Sequence, residues 1–334
     1  MLVTLEDDPQ ILAVIPTLGT RPARLARCIE ALREQTSATR VAVVVVLNSD
    51  DETAIDASVI ADCSVLLPGL NLGWAGGLQL GRASSPTASR LWLIQDDMTP
   101  EPGCLAALES ELERDPDLAV VSPLVVDEAG MVPPRSCGGV LRREPLIDMD
   151  HWYPARPTAP ADIDELDTLD YVPSRGMLID IAVWDTVGGM YPGYYPVIWA
   201  DVDFCTAVRE AGRSFGIARE ARTRHEGHGS TPSPFVRLLS ERHRDLYRSR
   251  WSAGGEEPRA ARTPIPAELT EVIARAAAAL AADLAVRYSD LVGENERMAG
   301  ATEEIRQLRA STSWRVTRPL RLLGRIIGRG RPPG

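Results

Sequence analysis

Residues 91–102 read "LWLIQDDMTPEP": an apolar run of four ends in Gln95, then Asp96 and Asp97, then a proline-marked turn. Two adjacent carboxylates at the tip of a buried strand repel each other, and desolvation makes this worse. Such a pair could cap a turn. It could also hold a hard divalent cation, magnesium or manganese, which takes oxygen ligands, keeps several waters and is completed by substrate phosphates. Three further stretches could do chemistry. In "PGLNLGWAGGLQLG" (68–81) the glycines at 73, 76, 77 and 81 let backbone approach a ligand closely, with Asn71 just before them. The bland alternative is a turn into a glycine-tolerant helix, and neither a GxGxxG placement after a strand nor a Walker loop is present. In "WADVDFC" (199–205) Asp201 and Asp203 fall at a helix start, where acids cap and complement the dipole, or where one acts as a general base. "RHEGHGST" (224–231) carries His225 and His228, two of four histidines, in a glycine-rich loop that favours a ligand role.

These groups need elements to position them. "ILAVIP" (11–16), "VAVVVVLN" (41–48), "CSVLLP" (63–68), "LWLIQ" (91–95) and "LAVVSPLVV" (118–126) read as strands. The second is β-branched and apolar throughout, so it is expected to be covered on both faces. "RLARCIEALREQT" (24–36) and "GCLAALESELERD" (103–115) have helical spacing. Strand–helix alternation predicts an α/β fold with a mainly parallel sheet flanked by helices. Ligands in such sheets sit at the carboxyl ends of the strands, where Asn48 and the acidic pair lie. "YVPSRGMLIDIAVWDTVGG" (171–189) predicts a strand and a short helix, and "DVDFCTAVREAG" (201–212) a helix stopped by Gly212. Residues 127–170, rich in Pro, Gly and Asp, predict irregular structure or a flap near the site. The expected organisation is a catalytic domain over 1–253, a linker over 254–265, a helical extension over 266–310 and a basic amphipathic tail over 311–334.

Composition narrows the classes. The net charge of -11 argues against a general nucleic-acid binder. Five scattered cysteines without a CxxC suggest neither a zinc site nor a disulfide framework, so a reducing, cytoplasmic compartment is expected. The acidic start "MLVTLEDDPQ" does not read as a signal peptide, and no stretch is apolar enough to span a membrane. The end differs in sign: from Ser311 to Gly334 there are six arginines and no acid, mixed with Val316, Leu320, Leu323, Ile326 and Ile327. Such a segment can lie on anionic lipid at the inner face of the plasma membrane. The helical 266–310 segment could serve as a homo-oligomer interface.

The order of the motifs resembles that of the family 2 glycosyltransferases of GT-A fold. Strand-Pro-Thr, strand-Asn-Ser-Asp, "NLGWAGGLQLG", the acidic doublet, "WADVDFC" and His-x-x-His-Gly-Ser follow one another over about residues 10–250. The pattern is most similar to the bacterial branch that transfers rhamnose or galactofuranose to cell-surface glycans. The resemblance implies that Asp97 is the last carboxylate of the family's Asp-x-Asp motif and binds Mn2+ or Mg2+ with His225. It implies Asp201 as the catalytic base, and Asp96 beside the ribose or diphosphate. Pro16 and Thr17 would flank the nucleobase, with Asn48, Asn71, Gly73 and Gly77 also on the donor side and Trp199 and Asp203 on the acceptor side. Three departures stand out: Gln95 replaces the motif's first Asp, Leu47 replaces an Asp that helps read the base, and Leu78–Gln79 replaces Asn-Asn.

The implied reaction is inverting transfer of a sugar from a dTDP- or UDP-sugar to a glycan or polyprenyl-linked hydroxyl. Two rivals are a sugar-phosphate nucleotidyltransferase, for which "PTLGTRPAR" is a faint glycine–arginine loop, and an inactive sugar- or partner-binding module of the same fold.

Overall fold

The computed structural model describes residues 2–3, 5, 8–35, 39–49, 55–85, 87–142, 148–164, 168–226, 233–251 and 266–310. The expected linker 254–265, the tail 311–334 and His228 lie outside the described residues. In chain order the elements are β1 (Leu2–Val3), β2 (Ile11–Thr17), α1 (Pro22–Arg33), β3 (Val41–Leu47), β4 (Ser64–Leu66), α2 (Gly73–Ala83), β5 (Arg90–Leu93), β6 (Met98–Pro100) and α3 (Cys104–Arg114). They continue as β7 (Leu118–Val126), β8 (Gly139–Arg142), β9 (Asp148–Trp152), β10 (Leu178–Asp180), α4 (Ile181–Val187), α5 (Ala200–Glu210), β11 (Ser214–His225), α6 (Ser233–Trp251) and α7 (Pro266–Ala310). The chain divides into two units, Met1–Ala277 and Ala278–Gly334. The first holds the sheet and its helices. The described part of the second belongs to α7, where Leu284, Val286 and Met298 are exposed. Among the described residues no helix is long and apolar enough to cross a membrane.

Among the described residues nine strands form one sheet in the order β1-β3-β2-β5-β10-β7-β11-β6, with β4 on β3. The pairs of β1, β2, β3, β4 and β5, and that of β7 with β11, are parallel. β10 is an insertion that runs antiparallel to β5 and β7, and β6 runs antiparallel to β11. The sheet is therefore mainly parallel, as expected, with its antiparallel pairs in the second half. Residues 127–170 differ from expectation: they contain the hairpin β8–β9, paired Gly139 to Trp152, and a short 3-10 turn at Pro160–Asp162. Prolines and glycines hid the short strands from a reading based on long apolar runs.

The pleat sends alternate residues to opposite faces. Leu12, Val14, Val44 and Val46 meet Leu78 of α2, Trp184 of α4 and Phe204 of α5 in one apolar layer. Ile11, Ile15, Val43 and Val45 meet Ile29 of α1 and Leu105 of α3 in the other. Every residue of β2 and β3 is buried, which is why those strands read as unbroken apolar runs.

The sharpest local constraint lies just before α5. Ile198 and Trp199 both have positive φ, 79° and 71°, sparsely allowed for a β-branched and a bulky residue. Surrounding contacts must over-determine such a backbone. One comes from α6: the ring of fully buried His243 has Nε2 3.1 Å from the Tyr195 carbonyl and Nδ1 3.1 Å from that of Ile198. Trp199 packs on Tyr247 of α6. Burial pushes the His243 pKa down to about 4. The unfolded chain takes up this proton near 6.5 and the folded chain only near 4, so stability is lost as the pH falls through that window. The full effect is on the order of 3 kcal/mol. Asp97, its carboxyl pushed up to about 6 by burial and by Asp96, titrates in an overlapping range with the opposite sign. The difference between wild type and His243→Gln in urea denaturation therefore isolates the histidine. We expect it to shrink steadily between pH 7 and pH 4; a constant difference contradicts a buried neutral ring.

Candidate active site

The register of the sheet assembles the site. β2 and β5 pair Val14 with Leu93, so the same register carried onward sets Thr17 beside Asp96. The buried Thr17 hydroxyl donates to Asp96 Oδ2 at 2.5 Å, and its oxygen accepts from the Gly19 backbone at 3.1 Å. β11 and β6 pair His225 with Met98, which brings the ring to the neighbouring carboxylate. His225 Nε2 lies 3.3 Å from Asp97 Oδ1 and 2.9 Å from Gln95 Oε1. The Glu226 backbone N–H donates to the Asp97 carbonyl at 3.2 Å, and the Glu226 carboxylate is gripped by Arg24 at 2.8 Å and by Arg27. Helix α1 thereby pins the end of β11 against the acidic pair.

The electrostatics follow from this packing. Asp97 is largely buried, with its side chain 17% exposed, and it sits beside Asp96. Burial first and Asp96 second push its carboxyl up to about 6, against the pull of Arg24 and Arg175. Asp201, in the first turn of α5, is partly exposed between buried Ala200 and Val202. Its Oδ1 accepts from the Val202 backbone at 3.0 Å and its Oδ2 from Ser174 at 3.4 Å. Burial raises its pKa, while these two N–H groups and Arg175 resist the rise. Burial pulls the Arg175 pKa down, and the charges of Asp201 and then Asp97 resist that fall.

A divalent cation suits this corner on chemical grounds. A nitrogen and a carboxylate oxygen approach each other at the end of the sheet, beside a second carboxylate, and among the described residues no lysine or arginine is paired to Asp97. Among the described residues no three His, Cys, Asp or Glu side chains converge on one point. A cation here would take few protein ligands, as a phosphate-completed site does.

The other expected residues are placed differently. Asn48, buried, donates from Nδ2 to the Gly73 carbonyl at 3.0 Å and accepts from the Leu72 backbone at 3.3 Å. Its amide holds the start of α2 rather than facing a donor. A Cβ on Gly77 would lie 2.8 Å from Pro16 Cβ, and one on Gly81 2.3 Å from Val14 Cγ1. These glycines, with buried Pro16, let α2 lie close on β2, so the close approach is helix to strand and not backbone to ligand. At Gly73, φ is +68° and a Cβ would lie 2.7 Å from the Pro196 carbonyl, so that space is filled by the chain itself. Asn71, half-buried, accepts from the Gly73 backbone at 2.8 Å. Gln79, at a departure from the family pattern, donates to the Gly188 and Met190 carbonyls at 2.7 and 3.0 Å.

The two residues assigned to the acceptor are also corrected. Trp199 is 1% exposed and lies in the core. Asp203, 2% exposed, accepts from Tyr194 at 2.9 Å, Trp251 at 2.7 Å and Arg250 at 2.8 and 3.2 Å. This buried, paired carboxylate joins α5 to α6. Sequence reading missed Arg175, the Thr17–Asp96 bond and the Arg24/Arg27 clamp. The only available signal for Arg175 was a lone cation inside the otherwise apolar "YVPSRGMLI".

Residues 12–148 match the family described as Glycosyl transferase family 2. None of the curated proteins matches the sequence. Among solved structures, the chain is similar to GalNAc-T7 in a crystal structure with UDP, GalNAc and Mn2+. The TM-score is 0.51 and the identity 13%, over 80% of this chain and 54% of that one. The chain thus spans about half the length of that protein, and at this identity the likeness is one of fold. β2, β3, β5 and the Asp96–Asp97 corner all lie inside the span that matches the family, and the fold is of the GT-A type.

Proposed function

We propose that the protein is an inverting, metal-dependent glycosyltransferase. Its donor is a nucleoside diphosphate sugar, of the dTDP or UDP type with rhamnose or a galactofuranose-like sugar. Its acceptor is a hydroxyl of a cell-surface glycan or polyprenyl-linked glycan. The observation that carries this reading is the meeting of Asp97 and His225 at one corner of the sheet's carboxyl edge, with the partly exposed Asp201 held by the turn that carries Arg175. The family match and the UDP- and Mn2+-bound fold relative support it.

Asp97 and His225 would hold Mn2+ or Mg2+, which offsets the charge of a departing diphosphate when bound. Thr17 fixes the rotamer of Asp96 toward the donor, and Asn71 lines the same side. Asp201 takes the proton of the acceptor hydroxyl as that oxygen bonds to the anomeric carbon. The bond from that carbon to the diphosphate breaks, and its electron pair leaves with the phosphate oxygen. A single displacement inverts the anomeric centre. Burial raises the proton affinity of Asp201, the direction that strengthens a general base. Residues 1–253 form the catalytic domain in this reading, followed by the 254–265 linker. The 266–310 helix, with Leu284 and Val286 exposed, serves self-association, and the 311–334 tail attaches the enzyme to anionic lipid from the cytoplasmic side.

Asp201→Asn should lower transfer by roughly 10²- to 10⁴-fold while leaving nucleoside diphosphate affinity near wild type. Wild-type turnover by this variant removes the base assignment. EDTA should stop transfer, and added Mn2+ or Mg2+ should restore it; full turnover in excess chelator rejects the cation. Full-length protein should float with phosphatidylserine vesicles more than a chain ending at Ala310, and equal flotation defeats the membrane role of the tail.

A further inference from the structure

The turn that carries Arg175 is held from every side. Ser122 Oγ donates to the Pro173 carbonyl at 2.8 Å, and the Ser174 backbone donates to Asp201. Trp92 Nε1 donates to the Gly176 carbonyl at 2.9 Å, and the Leu93 backbone to that of Met177 at 2.8 Å. Gly176 has φ +77°, and a Cβ there would lie 2.9 Å from Met98 Cε and from Pro123 Cγ, so no side chain fits. Arg175 therefore leaves a fixed backbone between the Asp201 helix and the Met98 strand that follows Asp97. It is partly exposed, with buried Ser174 and Gly176 on either side.

Its guanidinium is surrounded by charge but not engaged. Asp201 and then Asp97 act on it most strongly among charged groups. Among the described residues no hydrogen bond or ion pair uses its N–H groups. A guanidinium keeps its proton and presents five donors in a planar fork that matches phosphate oxygens two at a time. Its donors are only partly shielded from water, and a phosphate entering the site can take the place of that water. A plain counter-charge to the two acids would draw in to one of them.

We propose that Arg175 is a donor-binding residue whose guanidinium grips the diphosphate between Asp97 and Asp201. This rests on the glycosyltransferase reading above. It adds a second positive group to a corner where, among the described residues, a cation would meet Asp97 and His225, and it offsets repulsion between the diphosphate and Asp96, Asp97 and Asp201. Loss of a charge-assisted phosphate contact is worth roughly 10- to 100-fold in affinity.

The experiment is titration calorimetry of the full chain with UDP and dTDP, and with uridine and thymidine, in the presence of Mn2+. Arg175→Gln should bind the better diphosphate 10- to 100-fold more weakly, with nucleoside binding and melting temperature unchanged. Arg175→Lys, a point charge without the fork, should recover only part of the loss. Equal diphosphate affinity in wild type and Arg175→Gln overturns this role while leaving the glycosyltransferase reading intact. Equal losses for diphosphate and nucleoside overturn it in favour of a general packing role. Failure of wild type to bind either diphosphate overturns both readings. If Arg175→Gln does not fold, the lysine variant decides: weakened diphosphate binding at an unchanged melting temperature supports the role, and wild-type affinity rejects it.

Discussion

Two like charges carried to the end of a buried strand are the constraint around which this protein is arranged. Asp96 and Asp97 cannot both be desolvated cheaply, and Asp97 shows the cost in a carboxyl pushed up to about 6. Each neighbouring element answers part of that problem. β2 brings the Thr17 hydroxyl to Asp96, and β11 brings His225 to Asp97. α1 supplies Arg24, whose charge reaches Asp97 and whose side chain also clamps Glu226 at the end of β11. The 174–176 turn supplies Arg175. What remains uncompensated is an electronegative corner at the carboxyl edge of the sheet, suited to a cation and the phosphates that accompany it.

The second acid is managed in the opposite way. Asp203 is buried and entirely paired, while Asp201, two residues earlier on the same helix, keeps some solvent exposure. The helix period explains the split: two positions apart on an α-helix point about 200° away from each other, so one faces the core when the other faces the cleft. The left-handed pair Ile198–Trp199 sets where that helix begins, and His243 and the Asp203–Arg250 pair hold it there from α6. A strained entry to a helix that carries a candidate base is a place where packing elsewhere stabilises local geometry.

α2 shows how one sequence feature can be read two ways. A glycine-rich run beside a strand suggests backbone held open for a ligand. Here the missing side chains are filled by Pro16, Val14 and Pro196 of the chain itself, and Asn48 closes the helix start. Glycine reports only that something approaches closely; what approaches is a tertiary fact.

From the sequence alone came the strands β2, β3, β5 and β7, the helices α1, α3 and α5, and the ends at which chemistry gathers. Unbroken β-branched runs and helical spacing are local signals with a direct physical cause in burial. Asp97, Asp201 and His225 stood out in the sequence as candidates, because few side-chain types can hold a cation or take a proton. β11 and α6 were not, since arginines interrupt their apolar pattern, as in "SFGIAREARTRH" and "SPFVRLLSERHRDLYRSRW". Only the folded chain decided that β10 enters antiparallel, that Asn48 and Asp203 serve packing, and that Arg175 stands between two acids from distant segments. Those outcomes depend on which surfaces meet across the sheet, and the approach of His225 to Asp97, or of the Ser174 backbone to Asp201, has no trace in their neighbours along the chain.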